Sequence, residues 1–203
     1  MTSRADMAAI FAGGEGRRMG GLDKGLLVLG GRPLWRIVAE RLKPQAEKLA
    51  VLSPAAPSWA GQAEARWIAD ARTAQGPAAG LVSALQALEK EQGAGALLLT
   101  APVDAPFVPE NLFEKLDAMR RRAGVRVAIV SHAGGLHPVF GLWQAGCAAA
   151  VEEAVREERA LHRIAAKAGA VACEDWGGQS PDPFANLNSP EDVAAAETFL
   201  RQL

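Results

Sequence analysis

The chain of 203 residues is 49% apolar and 22% charged, a balance that supports a packed core and excludes disorder. Its 22 basic and 23 acidic side chains leave a formal charge of −1, so no global field draws it onto nucleic acid or an anionic membrane, and any bound phosphate must be met by local groups. Cys147 and Cys173 are too distant in sequence for a CxxC pair, and no His/Cys cluster offers four zinc ligands, which excludes a structural zinc site and points to reduced core thiols.

One domain over residues 1–203 is expected from this length. Residues 1–6 (MTSRAD) place a carboxylate before an apolar run of only residues 7–12, too short for a secretory segment or a membrane span, so a cytoplasmic protein is expected. Residues 7–11 (MAAIF) are the first predicted strand, and residues 34–42 the first helix, with apolar positions three or four apart. A strand follows at 49–52 (LAVL), a Pro/Ala loop at 52–59, a helix at 81–91, a strand at 96–99 (ALLL) and a helix at 110–121. The later half reads as strands at 125–130 (VRVAIV) and 137–143 (HPVFGLW), helices at 147–157 and 161–167, and a strand at 170–173. A closing helix at 190–203 has Ser189 as its cap and Pro190 in its first turn. Short buried strands alternating with crossover helices predict an α/β fold of three layers around a mostly parallel sheet, with the second half extending that sheet.

The glycines Gly13, Gly14, Gly16, Gly20, Gly21 and Gly25 follow the first strand, at the sheet edge where open α/β folds bind ligands. Glycine lets backbone N–H groups approach phosphate oxygens, and Arg17, Arg18 and Lys24 add the charge that glycine lacks, so the segment suits a polyanion. A plain chain turn with solvated cations is the simpler alternative, disfavoured by so many glycines and cations at one strand end. A Walker A loop is excluded, because no Gly-Lys-Ser/Thr follows. A dinucleotide-dependent oxidoreductase is disfavoured too: its loop carries modest charge, and the second strand here ends in Leu52-Ser53-Pro54 instead of an acidic residue.

Asp104 follows the 96–99 strand in a loop stiffened by Pro102, Pro106 and Pro109. A carboxylate on the same sheet edge as the glycine loop suits Mg²⁺ carrying a triphosphate, since Mg²⁺ needs only one or two protein carboxylates; an Asp that merely turns its own loop is the alternative. Asp70 ends the short apolar segment 67–69 and precedes the 76–80 loop; together they offer carboxylate and backbone acceptors to a bound ligand, and an isolated Asp at a strand end is also a common helix or turn cap. His137 is read equally as a packed ring and as a substrate contact. Asn186 and Asn188 face one side if extended, offering amide donors and acceptors to a phosphate or another polar ligand, with a turn and helix cap as the alternative.

The segments Phe11-Ala12-Gly13-Gly14, Gly20-Gly21-Leu22-Asp23-Lys24-Gly25, Gly76-Pro77-Ala78-Ala79-Gly80, Val103-Asp104-Ala105-Pro106 and Asn186-Leu187-Asn188-Ser189-Pro190-Glu191-Asp192 together resemble those of the molybdenum cofactor guanylyltransferases, over nearly the whole chain. The resemblance implies a Rossmann-like nucleotidyltransferase sheet. It implies transfer of GMP from GTP to the terminal phosphate of molybdenum-molybdopterin, with release of pyrophosphate and Mg²⁺ held by Asp104. It assigns catalysis to Arg17, Lys24 and Asp104, and GTP binding to Phe11, Ala12, Gly13, Gly14, Lys24, Ser53, Asp70, Gly76, Gly80 and Asp104. Molybdopterin binding falls to His137, Asn186 and Asn188, so the N-terminal half takes the nucleotide and the C-terminal half the pterin. Molybdoenzyme apoproteins or their chaperones are the further partners it implies. The family usually has Asn where Ser53 stands. Cytidylyl transfer to the same pterin is the second reading, though it is not expected to carry Gly-Gly-x-Asp-Lys-Gly; a non-catalytic nucleotide-binding partner is the third.

Overall fold

The computed structural model describes residues 4–13, 23–177 and 181–201. Seven strands form one sheet: β1 (Ala5–Phe11), β4 (Ala46–Ser53), β5 (Arg66–Ala69), β6 (Leu97–Pro102), β7 (Val127–His132), β8 (Gly135–Gln144) and β9 (Val171–Cys173). Their spatial order is β5-β4-β1-β6-β8-β7-β9. Only β8 runs antiparallel to its neighbours; all other pairings are parallel. The expected three-layer, mostly parallel sheet is therefore present, and the second half extends it through β7, β8 and β9. A small antiparallel hairpin, β2 (Val28–Leu29) with β3 (Arg32–Pro33), stands apart.

The strands are apolar runs because helices cover both faces, so neither side of the pleat meets water. Along β1, Ala8 and Ile10 pack on one face and Met7, Ala9 and Phe11 on the other. The first face is covered by α1 (Leu34–Leu42) and α3 (Leu112–Ala123), through Trp35, Val38, Leu42, Leu112 and Phe113. The second is covered by α2 (Pro77–Gln92), α4 (Ala148–Glu157) and α5 (Leu161–Lys167), through Leu81, Leu85, Val151 and Ile164. Each such large side chain, once buried, contributes about 1.5–3 kcal/mol relative to exposure. A third, smaller cluster, with Leu29, Leu34, Leu187 and Ala196 at its centre, seats α6 (Pro190–Leu200) against the hairpin.

The chain leaves β1 through α1 for β4 on one side, then returns through α2 to β6 on the other. The crevice outside the carboxyl ends of β1 and β6 is thus a topological switch point, where ligands bind in open α/β sheets.

Helices α1 and α5 match their predicted limits. Other elements shift at their ends by one to four residues, and three show a local reason. Helix α2 begins at Pro77, so residues 77–80 are its first turn and not a loop; Pro at the first helical position has its φ already set and lacks an N–H that would have no partner there. Helix α3 starts at Leu112 and runs to Ala123, ended by Gly124 in the left-handed conformation. The segment 66–69 becomes an edge strand because it pairs with Ala50 to Ser53 of β4, a partnership its own short pattern does not announce.

Candidate active site

Lys24 opens a single 3-10 turn (Lys24–Leu26) whose geometry is set by the residue before it. One oxygen of Asp23 accepts from Gly25 N (2.8 Å) and the other from Trp59 Nε1 (2.8 Å). Trp59, fully buried, stacks on Trp35 of α1 with ring centroids 5.6 Å apart and planes within 4°. The turn that carries Lys24 is therefore bolted to the core at one point. The sequence pattern singles out Lys24, contains Asp23 only as part of a motif with no role of its own, and gives Trp59 none. An Asp directly before the turn is a legible capping signal, whereas nothing local marks Trp59.

Asp104 comes from the other side of the crevice. Its loop begins where Val103 N bonds Phe11 O (3.0 Å), tying the ends of β1 and β6 together. The Asp104 carboxylate, nine-tenths buried, accepts from Lys24 Nζ at 2.7 Å, and the Asp104 carbonyl accepts from Leu187 N at 2.8 Å. Lys24 Nζ also donates to Asn188 Oδ1 at 2.6 Å. Three predicted site residues, 80 and 164 positions apart from Lys24, thus meet at one point. Among the described residues no three His, Cys, Asp or Glu side chains converge as a metal cage. Asp104 offers a single hard oxygen ligand facing a cation, a donor set that fits Mg²⁺ completing its shell with phosphate and water.

A second group of predicted residues gathers at the ends of β1, β4 and β5. A methyl group on Gly13 would lie 3.2 Å from Pro54 Cδ and 3.7 Å from Asp70 Oδ2; one on Gly80 would lie 2.8 Å from Leu52 Cβ and 3.1 Å from Asp70 Oδ1. Glycine at both positions lets the β1 loop and α2 close around the Asp70 carboxylate. Partial burial raises the pKa of Asp70 above its ordinary value, and no donor among the described residues offsets that cost. Ser53 is buried, and its hydroxyl donates to Ala55 O (2.8 Å) while its carbonyl accepts from Trp67 Nε1 (3.2 Å). Its side chain is turned into its own loop. Phe11 packs in the core, and Ala12 N bonds Leu52 O (2.9 Å), so these two shape the strand end through their backbone. Gly76 caps the start of α2.

His137 lies in β8. Its ring packs on Phe140 and Phe184 (centroids 6.4 and 5.8 Å), beside His132, which also packs on Phe184 and lies 3.5 Å from Asp182 Oδ1. Asn186 is exposed, and its carbonyl accepts from Asn188 Nδ2 at 3.4 Å. Gly14, Arg17 and Arg18 lie outside the described residues. Cys147, whose thiol burial pushes up to about 11, and Cys173 are core thiols as expected.

No helix among the described residues is long and apolar enough to cross a membrane. Residues 8–172 match the model of the MobA-like NTP transferase domain. The chain is 43% identical over 196 residues to the molybdenum cofactor guanylyltransferase of Cereibacter sphaeroides, covering 95% of this chain and 96% of that one. It is 34% identical to the enzyme of the same name from Rhodopseudomonas palustris strain HaA2, covering 95% and 91%. A solved structure of molybdopterin-guanine dinucleotide biosynthesis protein A from Archaeoglobus fulgidus shares the fold with a TM-score of 0.77 at 24% identity, covering 97% of this chain and all of that one. On the family model and these identities, the chain belongs to the MobA-like NTP transferases of the molybdenum cofactor guanylyltransferase family.

Proposed function

We propose that the protein transfers GMP from GTP to the terminal phosphate of molybdopterin and releases pyrophosphate, in a reaction dependent on Mg²⁺. The observation that carries this reading is the meeting of Lys24 and Asp104 at 2.7 Å in the switch-point crevice, where a triphosphate would find both a cation and a metal ligand. An oxygen of the pterin phosphate, already ionised at neutral pH, attacks the α-phosphorus of GTP in line, and the bond to the β-phosphate oxygen breaks. No general base is needed, so the chain's task is to position the reactants and neutralise charge. Mg²⁺, held by Asp104, supplies neutralisation of the triphosphate when bound. Lys24, and Arg17 in the glycine loop, would meet the charge on the transferred and leaving groups.

Guanine presents a ring N–H and an exocyclic amine side by side, and a carboxylate can accept both. Asp70, half-buried beside Gly13 and Gly80 and given no donor by the described residues, is the acceptor best placed to do so. This favours GTP over CTP, whose base presents one amine donor and acceptors. Ser53 contributes to the pocket through its backbone, its hydroxyl being committed to Ala55 O. The pterin side is assigned to His137, Asn186 and Asn188, on the C-terminal half of the chain. GTP and a phosphorylated pterin are intracellular compounds, which assigns the reaction to the cytoplasm.

Incubating the protein with Mg²⁺, molybdopterin and each of four α-labelled nucleoside triphosphates tests the reading. Label transfer and pyrophosphate release are expected with GTP. Equal or better transfer from CTP would overturn the guanine assignment, and binding without pyrophosphate release would leave a non-catalytic carrier.

A further inference from the structure

Lys24 is shared between two acceptors from distant parts of the chain, Asp104 Oδ2 at 2.7 Å and Asn188 Oδ1 at 2.6 Å. Asn188 is held for this task. Its backbone N–H donates to Asp192 Oδ2 at 2.8 Å, inside the capping box that starts α6. Its Nδ2 donates to the carbonyl of Asn186, which turns Oδ1 towards the lysine. The preceding residue, Leu187, bonds the Asp104 carbonyl at 2.8 Å, so the acceptor and the carboxylate move as one unit. An ammonium docked on a carboxylate that is only 10% exposed is little screened, and a divalent cation approaching the same oxygens meets its repulsion directly.

We propose that Asn188 is a positioning residue for Lys24: it docks the lysine on Asp104, so that a divalent cation binds only by displacing the ammonium, which is thereby released to the nucleotide phosphates. The inference rests on the assignment of the metal to Asp104 made above and adds the exchange of lysine for metal. Asn188 is neutral, so its effect on a cation comes through the lysine and not through the field. A hydrogen bond to a charged group is strong enough that losing it shifts the docked equilibrium on the order of tenfold.

The test needs neither nucleotide nor pterin. Mn²⁺ binding to the full chain is measured by electron paramagnetic resonance for the wild type, Asn188→Leu, Lys24→Met and the double variant, with Asp104→Asn as the control that loses the site. Both side chains reach solvent, and circular dichroism checks that each variant is folded. Asn188→Leu is expected to bind Mn²⁺ about tenfold tighter than the wild type despite no change in charge. Lys24→Met should bind at least as tightly as Asn188→Leu, and the double variant no tighter than Lys24→Met, because Asn188 acts only through the lysine. Unchanged affinity in Asn188→Leu, or additive effects in the double variant, would overturn the exchange while leaving the metal site standing. Absence of Mn²⁺ binding in all of them, or binding that survives Asp104→Asn, would overturn the metal assignment and the exchange with it.

Discussion

Asp70 pays for its position with stability. Burial raises its pKa, so the folded state holds the proton more tightly than the unfolded chain does. A raised carboxylate pKa penalises the fold fully above the folded-state value, and the penalty fades as pH falls through that value towards the unfolded one. Asp70→Asn should therefore raise the melting temperature at pH 7, with the gain shrinking as pH falls into the ordinary carboxylate range, while weakening GTP binding. Thermal melts across pH with parallel nucleotide titrations check both halves; a lower melting temperature at pH 7 would contradict the assigned cost. At the opposite side of the crevice, Lys24→Ala and Asp104→Ala are expected to fold normally and lose roughly 10² to 10³ in kcat, the usual effect of removing one charge-stabilising group. Lys24 and Asp104 were legible because a cation in a glycine-rich segment and a carboxylate just beyond a buried strand state their chemistry by type, whereas the nucleotide role of Asp70 came from the family resemblance. The turned-in hydroxyl of Ser53 was not legible, since a rotamer choice depends on which carbonyl lies nearby.

At the scale of elements, the 3-10 turn of Lys24 and the start of α6 are the two pieces that aim side chains into the crevice. The turn depends on Gly25, where an added methyl group would lie 2.7 Å from Trp59 Nε1. Gly25→Ala must push back the indole or the turn, breaking the bond from Trp59 to Asp23. A loss of about 1–3 kcal/mol is expected from overpacking, together with a fall in activity; urea unfolding followed by tryptophan fluorescence measures the first. The α6 start was readable from Ser189 and Pro190, and the capping box completed by Asp192 bears that reading out. The hairpin of β2 and β3 escaped notice because strands of two residues carry no period to read.

Across the whole molecule, the two halves of the chain meet at the β6–β8 seam. There Thr100, fully buried, accepts from Gly141 N (3.1 Å) and Trp143 Nε1 (3.3 Å) and bonds Gly141 O (3.2 Å). Thr100→Val would leave two buried donors without partners, at about 1–3 kcal/mol each. Because the seam joins both halves, the full chain should still unfold in one transition, its midpoint lowered equally by fluorescence and by circular dichroism. Two separate transitions would show that the halves fold independently.

The sequence by itself determined the layer architecture, the positions of most strands and helices, and the identities of the charged groups at the crevice, because burial on both sheet faces and helical spacing are written into local pattern. Only the tertiary structure decided that Lys24 lies between Asp104 and Asn188, that Trp59 anchors the lysine's turn, and that Ser53 faces away. Those facts depend on which strand ends lie side by side, and strand order is set by the packing of crossover helices that no local window contains.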